Sequence, residues 1–385
     1  MSNESPDTTP ESTAELPRAT RRTALRGAGL AGLLALGGGS ATAGQHASEA
    51  NTQGAENETA ADGESVPVTW ENFPRSQIHL MMENIVEQGG FGEFYHFQTV
   101  VGPDVRIAAL PNRDTIYSIG VFDLTEPVTV TKPDTGDRHQ SMVVMDEDAY
   151  VKAAYQDSGE YTLTQDGVGT RYVWVIVRTF VDPTDPDDVA TVHRLQDELT
   201  VSQNSVGTFD IPDWDRQTHH ELFDALVTVM KTMDDFGGAY GDVDEIDPIK
   251  YYLATVTPGG VPEPETIYLQ RVPDQNDGDT PHTFTVRDVP VDGFWSVTVY
   301  NSDGFLEENE YDAYSFNDVT AEPDDDGSIT IHFGGDPDRP NYLYTPAEWF
   351  YLVRLYGPRE EILDGSYQFP EAEPVERNHQ QREFP

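Results

Sequence analysis

The chain has 385 residues, with 69 Asp and Glu against 23 Lys and Arg and a formal net charge of -46. A polyanion of this kind is repelled by phosphates and lacks the clustered cations that counterion release requires, which excludes nucleic acid and an anionic lipid surface as partners. The absence of cysteine excludes disulfides, thiolate metal sites and a Cys nucleophile, while 37% hydrophobic and 10% aromatic residues are too many for a wholly unfolded chain.

The cations are nearly all arginine, the lysines being Lys132, Lys152, Lys231 and Lys250. This balance is of haloarchaeal, halophilic type: self-repulsion destabilises the compact state at ordinary salt, and molar salt shortens the Debye length to about 3 Å. In chain order, residues 1–44 contain PRATRRTALRGAGLAGLLALGGGSATAG, which has the three parts of an export signal. The pair Arg21-Arg22, the mildly apolar stretch Ala28 to Leu36 and the small residues Ala41-Thr42-Ala43 are of twin-arginine type, with cleavage expected near Ala43. A secreted or cell-surface protein is expected. The apolar stretch is far below the ~20 residues that span a bilayer, although a signal retained as an anchor is left open. Residues 45–68 are rich in Ala, Glu, Thr, Asn and Gly and are expected to form a disordered linker.

Residues 69–200 are expected to form a first β domain. Phe73 to Gly90 has helical spacing of Ile78, Met81, Met82, Ile85 and Val86 and ends in two glycines. After it, VRIAAL, DTIYSIGVF, PVTVT, HQSMVVMD, EYTLT and RYVWVIVRTF are short β-branched and aromatic runs parted by Pro, Asp and Gly turns. Helical periodicity follows in Pro186 to Leu199 and Gln217 to Phe236, so residues 201–260 are expected to form a helical connecting segment. Strand-like runs return in ETIYLQRV, HTFTVRDV, FWSVTVY, SITIHF and FYLVRLYG, giving a second β domain over residues 261–375, with a tail at 376–385. Strands at this spacing, without regularly interposed helices, predict a mainly β protein of two sandwich or jelly-roll domains with a helical insert.

Two sets of segments resemble a known pairing of families. ALPNRDTIYSIGVFDL at Ala109 to Leu124, PVTVTKPDTGDRHQSMVVMDED and RTFVDPTDPDDVATVHRLQDEL resemble domain of unknown function 1254. DGFWSVTVYNSDGFL at Asp292 to Leu306, DDDGSITIHF and EWFYLVRLYGPREEILDGSYQFP resemble domain of unknown function 1214. The resemblance implies an immunoglobulin-like domain followed by a jelly-roll-like one, frequently exported, with no reaction attached. It also marks departures: in NEYDAYS, Asn309, Tyr314 and Ser315 match the family loop while Ala313 replaces its arginine, and beside Asn341 the family tryptophan and proline are Tyr342 and Tyr344. Anything the family binds there meets an altered site.

The densest polar cluster is Asn112-Arg113-Asp114-Thr115 with Tyr117 and Ser118, at the start of a predicted strand. Arg113 offers a bidentate fork for a carboxylate, while the structural alternative is an Arg113–Asp114 network fixing a domain interface. A second group is aromatic: Trp174, Trp295, Tyr300, Tyr314, Tyr342, Trp349 and Tyr356 could line a mouth or simply fill cores. His219-His220-Glu221 fails the HExxH pattern because Asp224 stands where the second His belongs, and His193, His282 and His332 are isolated. Ile116 breaks G-x-S-x-G around Ser118, the acidic turns do not fit an EF-hand, and no dinucleotide fingerprint or P-loop occurs, so no cofactor and no metal are expected.

These observations lead to a protein that binds a small organic ligand in a cleft between two β domains, through Asn112, Arg113, Asp114 and Tyr117 with Tyr300 and Arg354 from the second domain. The alternatives are a hydrolase-like enzyme with Asp114 as general base and Arg113 as anion stabiliser, and a cell-surface assembly module. A homo-oligomer is left open.

Overall fold

The strict alternation of PVTVT and the unbroken apolar runs of HQSMVVMD, RYVWVIVRTF and FYLVRLYG anticipate two kinds of strand, one covered on a single face and one on both. The computed structural model, which describes residues 65–106 and 108–375, contains both kinds. In chain order the elements are α1 (Phe73–Glu87), β1 (Phe94–His96), β2 (Thr115–Asp123), β3 (Val128–Lys132), β4 (Gln140–Met145), β5 (Val151–Tyr155), β6 (Gly159–Leu163), α2 (Gln165–Val168), β7 (Tyr172–Phe180), α3 (Pro186–Glu198) and β8 (Thr200–Gln203). There follow α4 (Arg216–Met230), α5 (Pro248–Ala254), β9 (Thr266–Arg271), β10 (His282–Val286), β11 (Trp295–Tyr300), β12 (Ser315–Asn317), β13 (Ile329–Phe333), β14 (Tyr342–Leu343), β15 (Phe350–Tyr356), α6 (Glu360–Leu363) and β16 (Glu373–Pro374).

The protein is mainly β, and its strands form two sandwiches. In the first, the sheet β1-β2-β7-β4-β5 packs on the sheet β6-β3-β8 over a core that includes Phe122, Val128, Val130, Met142, Val144 and Val175. β3 alternates buried and half-buried residues because only one face meets that core, whereas every residue of β4 is buried. The second face of the larger sheet takes α1, whose Ile78, Met82 and Ile85 meet Val121, Trp174 and Ile176. In the second sandwich, β12-β11-β15-β9 packs on β14-β13-β10-β16 around Val297, Val353, Leu355, Phe333 and Trp349. β11 and β15 are buried along their whole length, because their other face is covered by the first domain and the helical segment.

Helix boundaries follow local chemistry. Asp185 and Asp215 accept hydrogen bonds from Asp187 N and Thr218 N at the starts of α3 and α4, and Pro186 occupies a first-turn position. α4 stops at Met230 rather than the expected Phe236. Beyond it, Asp234 O accepts from Gln270 N and the Asp235 carboxylate accepts from Gly237 N, so these residues serve loop and strand rather than helix.

Other expectations shift in the same way. The described residues of VRIAAL form no strand: Ala109 N bonds Val256 O and Leu110 N bonds Gly304 O, so this backbone is paired with the helical segment and the second domain. The linker expected over 45–68 ends early, because Val66 pairs with the backbone of Asp213 and Asp215 and Val68 is buried in the interdomain core. The first domain likewise runs past 200, since β8 pairs with β3 in the register Val128↔Gln203. The signal at Arg21, Arg22 and Ala43 and the tail at 376–385 lie outside the described residues.

Candidate interdomain site

The site begins with one backbone conformation. Leu110 adopts φ 55°, a left-handed conformation unusual for a non-glycine residue, immediately before Pro111, which itself disfavours the right-handed helical region for its predecessor. This turns Leu110 O toward the second domain, where Arg354 Nη2 donates to it at 2.9 Å. The same nitrogen donates to Tyr300 OH at 2.8 Å, Tyr300 OH donates to Pro111 O at 2.8 Å, and Arg354 Nη1 donates to Thr298 Oγ1 at 3.1 Å. Asn112 Nδ2 donates to Tyr356 OH at 2.7 Å, and Asn112 Oδ1 accepts from Asp114 N at 2.8 Å, an Asx turn that fixes the segment leading into β2. Asn112, Tyr300 and Arg354, nominated from sequence, thus form one buried network across the domain boundary.

Asp114 is 1% exposed and accepts from Asn317 Nδ2 at 3.3 Å, while its Oδ2 lacks a well-formed hydrogen bond. Burial pushes its carboxyl above the usual range, and the Arg354 guanidinium works against that rise. Arg113 does not pair with it. Its Nη1 donates to Val101 O at 2.8 Å, its guanidinium lies 4.6 Å from the centre of the Tyr314 ring, and its nearest carboxylate is Asp312 at 4.0 Å. Asp114 and Arg113 therefore point to different places, and Tyr117 faces a third.

Tyr117 belongs to a row that the strand register defines. Tyr117 lies opposite Arg178 and Arg178 opposite Ser141, so these three side chains share one face of β2, β7 and β4, flanked by Thr115, Phe180 and His139. On this face Thr115 Oγ1, Ser141 Oγ, His139 Nε2 and Arg178 Nη1 are all buried without a hydrogen-bond partner. The facing sheet presents Tyr268 beside Arg354 and Thr266 beside Tyr356, and Thr266 Oγ1 is also unpartnered. The faces meet where His139 lies 5.1 Å from Tyr356 and 5.5 Å from Phe294 between ring centres, with Phe294 stacked on Tyr356 at 4.1 Å. Orphaned buried polar groups are few in folded proteins, and here several lie together between two sheets without a partner among the described residues.

Arg178, Ser141, His139 and Tyr268 were not among the expected site residues, and Tyr356 was expected only as one of an aromatic group that could line a mouth or fill a core. The available signal was Arg178 within RYVWVIVRTF: a cation in the middle of a doubly buried strand needs a reason.

His139 gives this layer a pH dependence. Burial and the nearby Lys132 and Arg178 cations push its imidazole down to about 4. Its ordinary pKa is about 6.5, so the folded state resists protonation: the stability contribution is complete above pH 6.5 and is lost as pH falls toward 4. His219, held near 4 by burial, acts in the same direction, whereas Asp146, raised to about 6 by burial, acts in the opposite one. The informative measurement is therefore a comparison. His139→Phe, which keeps an aromatic ring against Phe294 and Tyr356, is expected to lose about 3 kcal/mol less than wild type between pH 7 and pH 4 in urea titrations, and equal losses would show that His139 does not carry the effect.

The remaining candidates separate spatially. His219 Nε2 bonds Gln77 Oε1 at 2.8 Å while the exposed His220 faces Asp224 at 3.4 Å, so the two neighbours do not converge. His193 and His282 bond the carbonyls of Gln98 and Thr280, and no three His, Asp or Glu among the described residues are grouped to hold a metal. Trp295 and Trp349 fill the second core, and Trp174 packs against α1. Ala313 and Tyr344, two of the departures noted above, line a shallow surface dimple with Asn309 and Tyr314. The acidic turn at Asp324 is self-satisfied, Asp326 accepting from Ser328 N and Asp324 from Thr330 Oγ1.

Comparison with known proteins places these features in two family domains. Residues 91–203 match the protein of unknown function DUF1254, and residues 265–360 match the protein of unknown function DUF1214. No curated protein matches the chain. Among solved structures, the chain is similar to the VPA0106 protein from Vibrio parahaemolyticus, with a TM-score of 0.57 and 19% identity over 80% of this chain and 97% of that one. It is also similar to a putative uncharacterized protein from Burkholderia cenocepacia, with a TM-score of 0.46 and 16% identity over 75% of this chain and 86% of that one. The first likeness shows a shared fold.

Proposed function

We propose that this chain, which belongs to the proteins joining a DUF1254 domain to a DUF1214 domain, is a ligand-handling protein that binds a small organic molecule between its two β domains. The observation that carries this reading is the set of unpartnered polar atoms on Thr115, His139, Ser141 and Arg178, opposed by aromatic and hydroxyl side chains of the second domain. The expected ligand residues divide accordingly. Tyr117 belongs to this face, whereas Asn112, Tyr300 and Arg354 lock the domains in the orientation that closes it.

The enzyme alternative has weaker support, because Asp114 is 1% exposed and Arg113 is turned onto Tyr314. The assembly alternative is also weaker, since the polar lock is satisfied within one chain.

The test is a thermal-shift screen of the full chain in molar KCl against a small-metabolite library. A ligand at 100 times its dissociation constant adds about 2.7 kcal/mol of stability. A hit that survives Arg113→Ala and disappears in the double variant Thr115→Val, Ser141→Val supports the reading. A hit unaffected by the double variant, or none across the library, refutes it.

The protein is further proposed to be exported by the twin-arginine route and to work at high salt, on the strength of Arg21-Arg22, the small residues up to Ala43 and the acidic surplus. Replacing both Arg21 and Arg22 by Lys is expected to retain the chain in the cytoplasm of the producing cell. Undiminished export of that variant would refute the route.

A further inference from the structure

We infer that the ligand of the interdomain layer is a small monocarboxylate seated on the guanidinium of Arg178, an inference that rests on the ligand-binding reading above. Arg178 projects from β7 near its C-terminal end, in a central strand otherwise made of Val, Ile, aromatic residues and Thr179. Arg178 is half-buried, but its Nη1 is enclosed without a partner, and among the described residues no carboxylate lies within ion-pair distance of it. Its surroundings are neutral: the guanidinium lies 5.2 Å from the centre of the Tyr117 ring, and the phenols of Tyr117, Tyr268 and Tyr356 are the other polar groups it senses.

A buried cation is expensive unless it is paired, and water can hydrate it without neutralising it. Arg354, the fully buried arginine of the layer, has the Asp114 carboxylate for balance. Lys132 has Asp157 and Asp134 near it, whereas Arg178 has no carboxylate of its own, so the one positive charge it carries would be balanced by a monoanion.

Chemistry narrows the anion further. A guanidinium presents donors in a planar fork that matches the two oxygens of a carboxylate. Ser141 Oγ, directly across the sheet from Arg178, is a further unpartnered donor at the same rank. The Tyr117 ring beside the guanidinium offers apolar surface to a body attached to the carboxylate, while Tyr268 on the facing sheet is packed against Phe236 and Tyr240. On the remaining side the chain comes close through Gly259, at φ +83°: a Cβ there would lie 3.4 Å from Arg178 Nη2 and 2.6 Å from Ile176 Cδ1, so this approach needs glycine.

The experiment titrates the full chain with acetate, benzoate and the uncharged benzamide at constant ionic strength in a chloride-free buffer, by calorimetry and thermal shift. Saturable binding of acetate or benzoate is expected, with benzamide at least 100-fold weaker. In Arg178→Met the carboxylate affinity should fall at least 100-fold, and in Arg178→Lys about tenfold, because an ammonium retains charge but loses the fork. Without ligand, Arg178→Met should melt no lower than wild type, since removing an unpaired buried charge offsets the loss of packing. If that variant does not fold, the wild-type titrations and Arg178→Lys still decide the matter.

Benzamide binding as tightly as benzoate would overturn the charge assignment and leave the ligand-binding reading intact. Carboxylate affinity undiminished in Arg178→Met would overturn the assignment to Arg178 as well. Absence of binding by all three probes, with Arg178→Met strongly destabilised, would overturn the inference, and the general reading would then stand or fall on the metabolite screen.

Discussion

Arg354→Met is expected to lower the unfolding free energy by about 3–5 kcal/mol, measured by urea titration at neutral pH, because it removes one member of a buried charged network and strands the other. Arg354 is buried and donates to Leu110 O, Tyr300 OH and Thr298 Oγ1, so its loss leaves three acceptors without their donor. The Asp114 carboxyl, already raised by burial, would lose its main cationic neighbour and move further up. Arg354→Lys should recover less than half of the loss, since a single ammonium cannot span a carbonyl in one domain and hydroxyls in the other. Because these contacts join the domains, the variant is also expected to broaden the unfolding transition, the first domain and its partner losing cooperativity. A loss below about 1 kcal/mol would show that the lock contributes little and that apolar packing around Tyr300, Phe350 and Leu352 holds the domains together.

The second large effect concerns salt. With 69 acidic and 23 basic side chains, even complete one-to-one pairing leaves 69 − 23 = 46 carboxylates without a cation. Local pairs such as Arg138–Asp188, Arg171–Asp123 and Lys152–Asp242 neutralise particular points but not the field of the whole surface. Raising KCl from about 0.1 M to 1 M shortens the Debye length from about 10 Å to about 3 Å, which removes repulsion between neighbouring carboxylates. If that relieves a few kcal/mol, the melting temperature should rise by on the order of 10 °C, most of it below 1 M. A rise that continues linearly to several molar would point instead to salt acting on apolar burial, and would be larger for sulfate than for chloride at equal Debye length. A flat response would refute the idea that repulsion limits stability.

The strands with a local signature were legible: the β-branched runs of β3, β4, β7, β10, β11, β13 and β15 and the turns between them depend on neighbours in sequence, whereas β1, β5, β8, β12, β14 and β16 carry no such run and were not expected. The helices α1, α3 and α4 were legible for the same reason, their first turns set by a proline or a capping Asp. VRIAAL was misread because its backbone partners, Val256 and Gly304, lie far along the chain, and an apolar run cannot announce which partner it will find. At the site, Asn112, Tyr300 and Arg354 stood out as polar or phenolic groups beside strands. The supposed Arg113–Asp114 pair failed because adjacent residues at a strand start project in different directions.

By itself the sequence determined the charge surplus, the absence of thiol chemistry, the mainly β build and the order of its two domains, because composition and short-range periodicity suffice for these. Tertiary structure alone decided which polar side chains face each other. Tyr117, Arg178 and Ser141 are 61 and 37 residues apart along the chain, and only the register of β2, β7 and β4 sets them in one row. Likewise, only the docking of the second sandwich, through Arg354, Tyr356 and Phe294, covers that row. Strand formation is a local matter, whereas the burial of a charge depends on the face that a distant segment covers.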